Sequence, residues 1–246
     1  MSTETSRAAI VTGGSRGIGR AIALRLAADG FAVVVNYAGD AASAQATVSD
    51  IEAGGGRAIA VKADVAQPQE VAKLFAEAQQ AFGRLDVVVN SAGVMPTVSI
   101  DVANLDAFDR AIAINLRGAF LVLAQAAQHL GEGGRIIALT TSVIAKAFPG
   151  YGPYIASKAG VEGLVHVLAN ELRGRKITVN AIAPGPVGTE LFFRGKSEET
   201  VANIARQSPM ERIGTPEEIA GAVAFLAGPD GAWVNSQVLR VNGGFA

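Results

Sequence analysis

The stretch RAAIVTGGSRGIG, residues 7–19, decides the fold. Arg7–Thr12 is a short apolar run of strand type, and Gly13, Gly14, Gly17 and Gly19 follow it directly. A helical pattern then continues to about Asp29, where Gly30 stops it. Glycines between a strand and a helix let the backbone turn tightly and approach a pyrophosphate, which the amides at the helix N-terminus can hold. The spacing is G-x-x-x-G-x-G rather than G-x-G-x-x-G, so the loop alone is a weak signal. Its place after the first strand and before the first helix gives it weight.

Outward from this stretch the same alternation repeats. Phe31–Asn36, Arg57–Ala63, Leu85–Asn90, Gly134–Thr140, Ile177–Ile182 and Gln237–Val241 read as strands. Helical patterns lie between them at Asp40–Ala53, Pro68–Phe82, Leu105–Leu130, Tyr151–Arg173 and Thr215–Ala227. Unbroken runs such as the two VVV segments belong to strands buried on both faces. The expectation is an α/β fold: a single doubly wound Rossmann-type domain, with a mainly parallel seven-stranded sheet and helices on both faces. No Pro/Ser-rich linker divides residues 1–246, so one domain is expected, with a cofactor half over about 1–130. Pro184–Lys196 reads as irregular and leads into a short helix near Glu198–Gln207. A long loop after a strand end in this architecture covers a ligand site, here a substrate loop over about 184–208.

Composition narrows the function. Half of the 246 residues are hydrophobic, 17% are charged and the net charge is -1, which supports a large core and argues against nucleic-acid binding. With no cysteine there is no disulfide, thiolate metal site or cysteine nucleophile. His129 and His166 are too few for a histidine-based zinc site, and no metal is expected. The polar start has no apolar secretion signal and no run is long enough to span a bilayer, so a cytoplasmic protein is expected.

At the end of the second strand an NAD enzyme usually carries an acid for the ribose 2′-hydroxyl. Here Asn36 and Tyr37 stand in that region, and neither repels a 2′-phosphate. Arg16, inside the glycine loop, offers a charge-assisted contact to the same phosphate. Together they favour NADP(H) over NAD(H).

From these residues onward the whole chain resembles the short-chain dehydrogenase/reductase family, nearest to its 3-oxoacyl-carrier-protein reductase-like group and related carbonyl reductases. Thr12, Gly13, Gly17 and Gly19 match the family's cofactor loop, which Ser15 and Ile18 complete. Asp64 and Val65 match its adenine-contacting pair. Asn90, Ala92 and Gly93 match its NNAG motif, with Ser91 in place of the second Asn. Tyr154 and Lys158 match its Tyr-x-x-x-Lys motif, and Pro184, Gly185, Val187 and Thr189 fall in its cofactor-closing segment. The resemblance implies that Asn115 is catalytic, holding a water that links Lys158 to solvent. It also implies a hydroxyl at the close of the fifth strand, where Ser142 is chosen and Thr141 competes. Lys158 is implied to bond the nicotinamide ribose.

Tyr154 and Lys158 are four apart in a helical stretch and share one face. A phenol's pKa of about 10 is too high for easy exchange at neutral pH, and a nearby ammonium is expected to lower it. The activity implied is hydride transfer to a ketone or aldehyde carbonyl, with Tyr154 as proton donor. Val94, Met95, Pro96, Phe148, Tyr151, Leu191, Phe192 and Phe193 are expected around an apolar cleft, while Arg194 and Lys196 stand on its loop. The resemblance further implies a homotetramer acting on a small carbonyl compound, with no membrane partner. The rivals are an NAD-dependent alcohol or sugar dehydrogenase, which the missing acid disfavours, and a non-catalytic cofactor sensor, which the retained Tyr and Lys disfavour.

Overall fold

The glycine-rich stretch folds as β1 (Ala8–Thr12), a tight turn and α1 (Gly17–Ala28) in a computed structural model that describes residues 7–246. The alternation continues through β2 (Ala32–Tyr37), α2 (Ala41–Ala53), β3 (Arg57–Lys62), α3 (Pro68–Phe82) and β4 (Val87–Asn90). Next come α4 (Leu105–Ala111), α5 (Gly118–His129), β5 (Arg135–Leu139), α6 (Gly152–Glu171) and β6 (Thr178–Pro184). The chain closes with α7 (Glu190–Phe193), α8 (Glu198–Ala205), α9 (Pro216–Ala227) and β7 (Val238–Val241). The seven strands form one sheet in the order β3-β2-β1-β4-β5-β6-β7, and every pairing is parallel.

The unbroken apolar runs have a direct cause. Ile10, Val34, Val88 and Ile136 point into a core shared with Leu74 and Phe75 of α3, Val122 of α5 and Val165 of α6. Their neighbours Val11, Val33, Val35, Val87, Val89 and Ile137 point into a second core, shared with Ile22 of α1, Val48 of α2 and Val223 of α9. Both faces are covered, so each such side chain contributes about 1.5–3 kcal/mol of burial.

The strand order reverses at β1, which pairs with β2 on one side and with β4 on the other, Thr12 opposite Asn90. Loops leaving β1 and β4 therefore part in opposite directions and open a crevice at their C-terminal ends. Two segments depart from the sequence pattern. The expected helix over Leu105–Leu130 is interrupted by a π-helical turn at Ile112–Arg117, which separates α4 from α5. The stretch expected to be irregular before Lys196 contains the single-turn helix α7, capped by Thr189. Among the described residues no helix is long and apolar enough to cross a membrane.

Candidate active site

Gly13 takes a φ of +63°, and a Cβ on Gly19 would lie 2.1 Å from the Gly13 carbonyl oxygen, so this turn closes only with glycine there. The adjoining loop after β4 is tied to it by Thr12. The Thr12 hydroxyl accepts the N–H groups of Ser91 and Ala92 at 3.0 Å each and donates to Asn90 Oδ1 at 3.2 Å. Asn90 Nδ2 is buried with no hydrogen-bond partner among the described residues. Ser15 is buried at the turn, and the half-buried Ile18 packs against the core beside α1.

Asn36 requires a correction. It is buried beneath the turn, where Oδ1 accepts from Gly13 N at 3.3 Å and Nδ2 donates to Ala63 O at 3.0 Å and Val61 O at 3.3 Å. With both ends engaged it braces the glycine loop and does not reach out to a ligand; Tyr37 is the more open residue at the strand's end. Arg16 is exposed, precedes the first turn of α1, and its guanidinium has no hydrogen bond or ion pair among the described residues. An acid the sequence reading did not single out stands near it. Asp40 caps α2 through Ser43, whose hydroxyl and amide hold the carboxyl below its usual range, with a smaller contribution from Arg16.

Around the crevice, Asp64 Oδ1 accepts from Ala66 N at 2.9 Å and Val65 is buried. Pro184 ends β6, Gly185 N donates to Val241 O at 3.0 Å, and buried Val187 bridges to Gly214. The next turn brings the Thr189 methyl within 3.4 Å of where a Gly17 side chain would begin, so this segment returns over the glycine loop.

Across the crevice, Lys158 is buried and donates to Leu139 O at 2.7 Å. A Cβ at Gly93 would come within 3.4 Å of Lys158 Nζ and 3.2 Å of Asn115 Oδ1, so the β4 loop lies against both. Asn115 projects from the π turn, accepts from Val94 N and donates to Val94 O, each at 2.8 Å, and also donates to Ser157 Oγ at 3.0 Å. Its side chain thus fastens the β4 loop to α6.

Burial pushes the Tyr154 phenol up to about 12, against a smaller downward pull from a hydrogen bond with the Thr141 hydroxyl. Burial also pushes Lys158 down to about 8. In the free protein, withdrawal from water rather than the neighbouring ammonium dominates the phenol's pKa.

The choice between the two hydroxyls after β5 also reverses. Thr141 lines the cleft beside Tyr154, and its hydroxyl draws the phenol's pKa down slightly. Ser142 is buried behind it, where it donates to Ala183 O at 2.9 Å and accepts from Asn242 Nδ2 at 2.9 Å. Asn242 in turn bonds Ala246 O at 2.7 Å, and its Oδ1 accepts from Gly244 N at 3.0 Å. Ser142 is thus an anchor for the last residues, and they place Phe245, 2% exposed, in the cleft wall.

The cleft encloses about 320 Å³. Met95, Phe148, Tyr151 and Phe192 line it as expected, whereas Val94, Pro96, Leu191 and Phe193 do not. Val143, Pro186, Lys196, Thr200, Ile204, Gln207 and Phe245 complete the lining.

This architecture has close counterparts. A family profile described as "Enoyl-(Acyl carrier protein) reductase" matches residues 13–246. A short-chain type dehydrogenase/reductase of Picea abies is 48% identical over 97% of this chain and 92% of its own length. The chain belongs to the short-chain dehydrogenase/reductase family. Among other short-chain dehydrogenase/reductase relatives, an Arabidopsis thaliana protein described as NADPH-dependent aldehyde reductase-like and chloroplastic is 46% identical, covering 97% of this chain and 94% of its own. The crystal structure of a Burkholderia cenocepacia short-chain dehydrogenase in complex with NADP superposes with a TM-score of 0.92, at 40% identity and 97% coverage of both chains. Within this short-chain dehydrogenase/reductase, Asn242 and Phe245 are among the site-forming residues that the sequence reading missed. Their only local signal is the NGGF turn after β7, whose glycines fold the chain back.

Proposed function

We propose that the chain reduces a ketone or aldehyde carbonyl with NADPH. The observation that carries this reading is that the Tyr154 and Thr141 side chains stand together on the wall of an apolar cleft, with the buried Lys158 on the same helix as Tyr154. The crevice fits a dinucleotide: the glycine turn opens onto the N-terminus of α1, and the unpartnered Asn90 Nδ2 faces no competing acceptor among the described residues. Preference for the phosphorylated cofactor is supported by the missing acid at positions 36 and 37, by the unpaired Arg16 guanidinium, and by the NADP named with the Burkholderia and Arabidopsis relatives.

Bound there, NADPH would supply a hydride to the carbonyl carbon. The amides of Ser15 to Gly19 would hold the pyrophosphate, Asp64 and Val65 would border the adenine, and Asn90, Ala92 and Gly93 would line the middle of the crevice. Lys158 would bond the ribose, and Pro184, Gly185, Val187 and Thr189 would close over it. The raised pKa keeps Tyr154 neutral at pH 7, which suits a proton donor to the developing alkoxide. Thr141 gives the oxygen a second donor. Lys158, near 8, exchanges protons readily close to neutrality and can refill Tyr154 through a water on the Asn115 main chain. Exposed Leu105, Phe120 and Val167 on α4 to α6 support the expected homotetramer.

The test is the rate of NADPH and NADH oxidation with aryl ketones, aldehydes and an acetoacetyl thioester. NADPH-dependent turnover that falls at least about 10²-fold in Tyr154→Phe is the expected result. Equal use of NADH overturns the cofactor preference, and full activity without the phenol overturns the chemistry.

A further inference from the structure

Among the described residues, Lys196 is the only formally charged side chain lining the cleft. It follows α7 and turns inward, donating to Phe192 O at 2.6 Å with its ammonium 4.9 Å from the Phe192 ring centre. An ammonium has three N–H donors, so two remain. Among the described residues no carboxylate pairs with it, and burial lowers its pKa. The neighbouring base behaves differently: Arg194 is exposed and bound to Glu190 at 2.9 Å, away from the cleft. The loop thus presents one unpaired cation to an otherwise uncharged chamber.

The remaining walls are aromatic. Phe148 lies 6.2 Å from both Tyr151 and Phe245, measured between ring centres. Phe245 is held there by Asn242 and Ser142 and by the Ser208 hydroxyl on Gly243 O. Fixed rings favour flat ligands. A volume of about 320 Å³ is at the small end of ligand pockets, enough for one or two rings. Tyr154 and Thr141 come from α6 and the end of β5, whereas Lys196 comes from the α7–α8 connection, so the chamber has two polar anchors on separate segments.

We propose that the substrate is a flat aromatic ketone or aldehyde bearing an anionic oxygen, such as a carboxylate, that pairs with Lys196 while the carbonyl meets Tyr154 and Thr141. The placing of the carbonyl rests on the reductase reading; the pairing with Lys196 does not.

Binding separates the two. Calorimetry on the NADP⁺-loaded protein, where the ketone cannot be reduced, compares para-acetylbenzoate with its methyl ester. The acid should bind about tenfold or more tightly than the ester, the scale of a charge-assisted hydrogen bond. Lys196→Met should abolish that difference while leaving the ester's affinity within about twofold, consistent with a neutral contact. Equal affinities in the wild type, or a preference that survives Lys196→Met, would overturn the proposal. NADPH oxidation is then measured with the same two ketones. Tight, Lys196-dependent binding with no turnover of either ketone supports the anion pairing and sinks the reductase reading instead.

Discussion

Replacing Thr141 by valine keeps the shape of the cleft wall and removes the hydroxyl that stands beside Tyr154. If Thr141 is the second donor to the carbonyl oxygen, turnover should fall about 10²–10³-fold, the usual loss for one oxyanion donor. Among the described residues the Thr141 hydroxyl accepts from Val143 N at 3.2 Å at the start of a short 3₁₀ turn, and losing that one bond should cost the fold little. Ser142→Ala is the reciprocal experiment. That hydroxyl is buried, bonds Ala183 O and Asn242 Nδ2, and contributes nothing to the cleft lining. Its loss leaves Ala183 O without that donor and costs about 1–3 kcal/mol, or roughly 2–10 °C in Tm for a chain of this size. Turnover should drop less than about tenfold, through a loosened Phe245 rather than lost chemistry. Steady-state kinetics with NADPH and an aryl ketone, paired with thermal unfolding, separates the two variants. A kcat collapse in Ser142→Ala with unchanged Tm, and near-normal kcat in Thr141→Val, would refute the assignment.

Three further outcomes are expected. Arg16→Ala should weaken NADPH binding roughly three- to tenfold, as suits an exposed charge contact, and leave NADH unchanged; equal weakening of both cofactors would move Arg16 from the 2′-phosphate to the pyrophosphate. Gly19→Ala should abolish NADPH binding, because its methyl would lie 2.1 Å from Gly13 O, while circular dichroism stays native; retained affinity would show that the loop can open without loss. Lys158 has a folded pKa near 8 against 10.5 in the unfolded chain, so the unfolded state holds the extra proton between them and the free protein gains stability as pH rises through that window. The gain is about 3 kcal/mol at most, and Lys158→Met should flatten the pH dependence of urea unfolding while abolishing turnover.

The sheet was legible because its strands are buried on both faces, and burial of that kind writes itself as unbroken runs such as Val33–Val35 and Val87–Val89. The glycine turn was legible because backbone geometry admits no other residue at Gly19. What escaped depends on partners distant in sequence. The π turn at Ile112–Arg117 carries no Gly or Pro to mark it; its side chain Asn115 is satisfied by Val94, twenty-one residues earlier. Asn36 looked like a ligand contact because it sits beside the strand's end, yet its bonds run to Gly13 and Ala63. Phe245 enters the cleft because Asn242 meets a serine 100 residues away and Ser208 holds Gly243 O.

The Thr141–Ser142 pair shows where sequence reasoning must stop. Side chains alternate along a strand, so two adjacent hydroxyls cannot both face the same cleft while the strand continues. That rule could decide between them if the alternation could be counted through to Ser142. But β5 ends at Leu139, and Ser142 already begins a 3₁₀ turn, so the phase is lost two residues early. What restores it is the backbone of β6 and the returning tail, which supply Ser142 with an acceptor and a donor and leave Thr141 as the hydroxyl free to turn toward Tyr154. The hydroxyl that faces the cleft is therefore selected by the bonds its neighbour makes elsewhere, and a variant that removes those bonds, such as Asn242→Ala, should disturb Phe245 and the cleft wall before it disturbs Thr141.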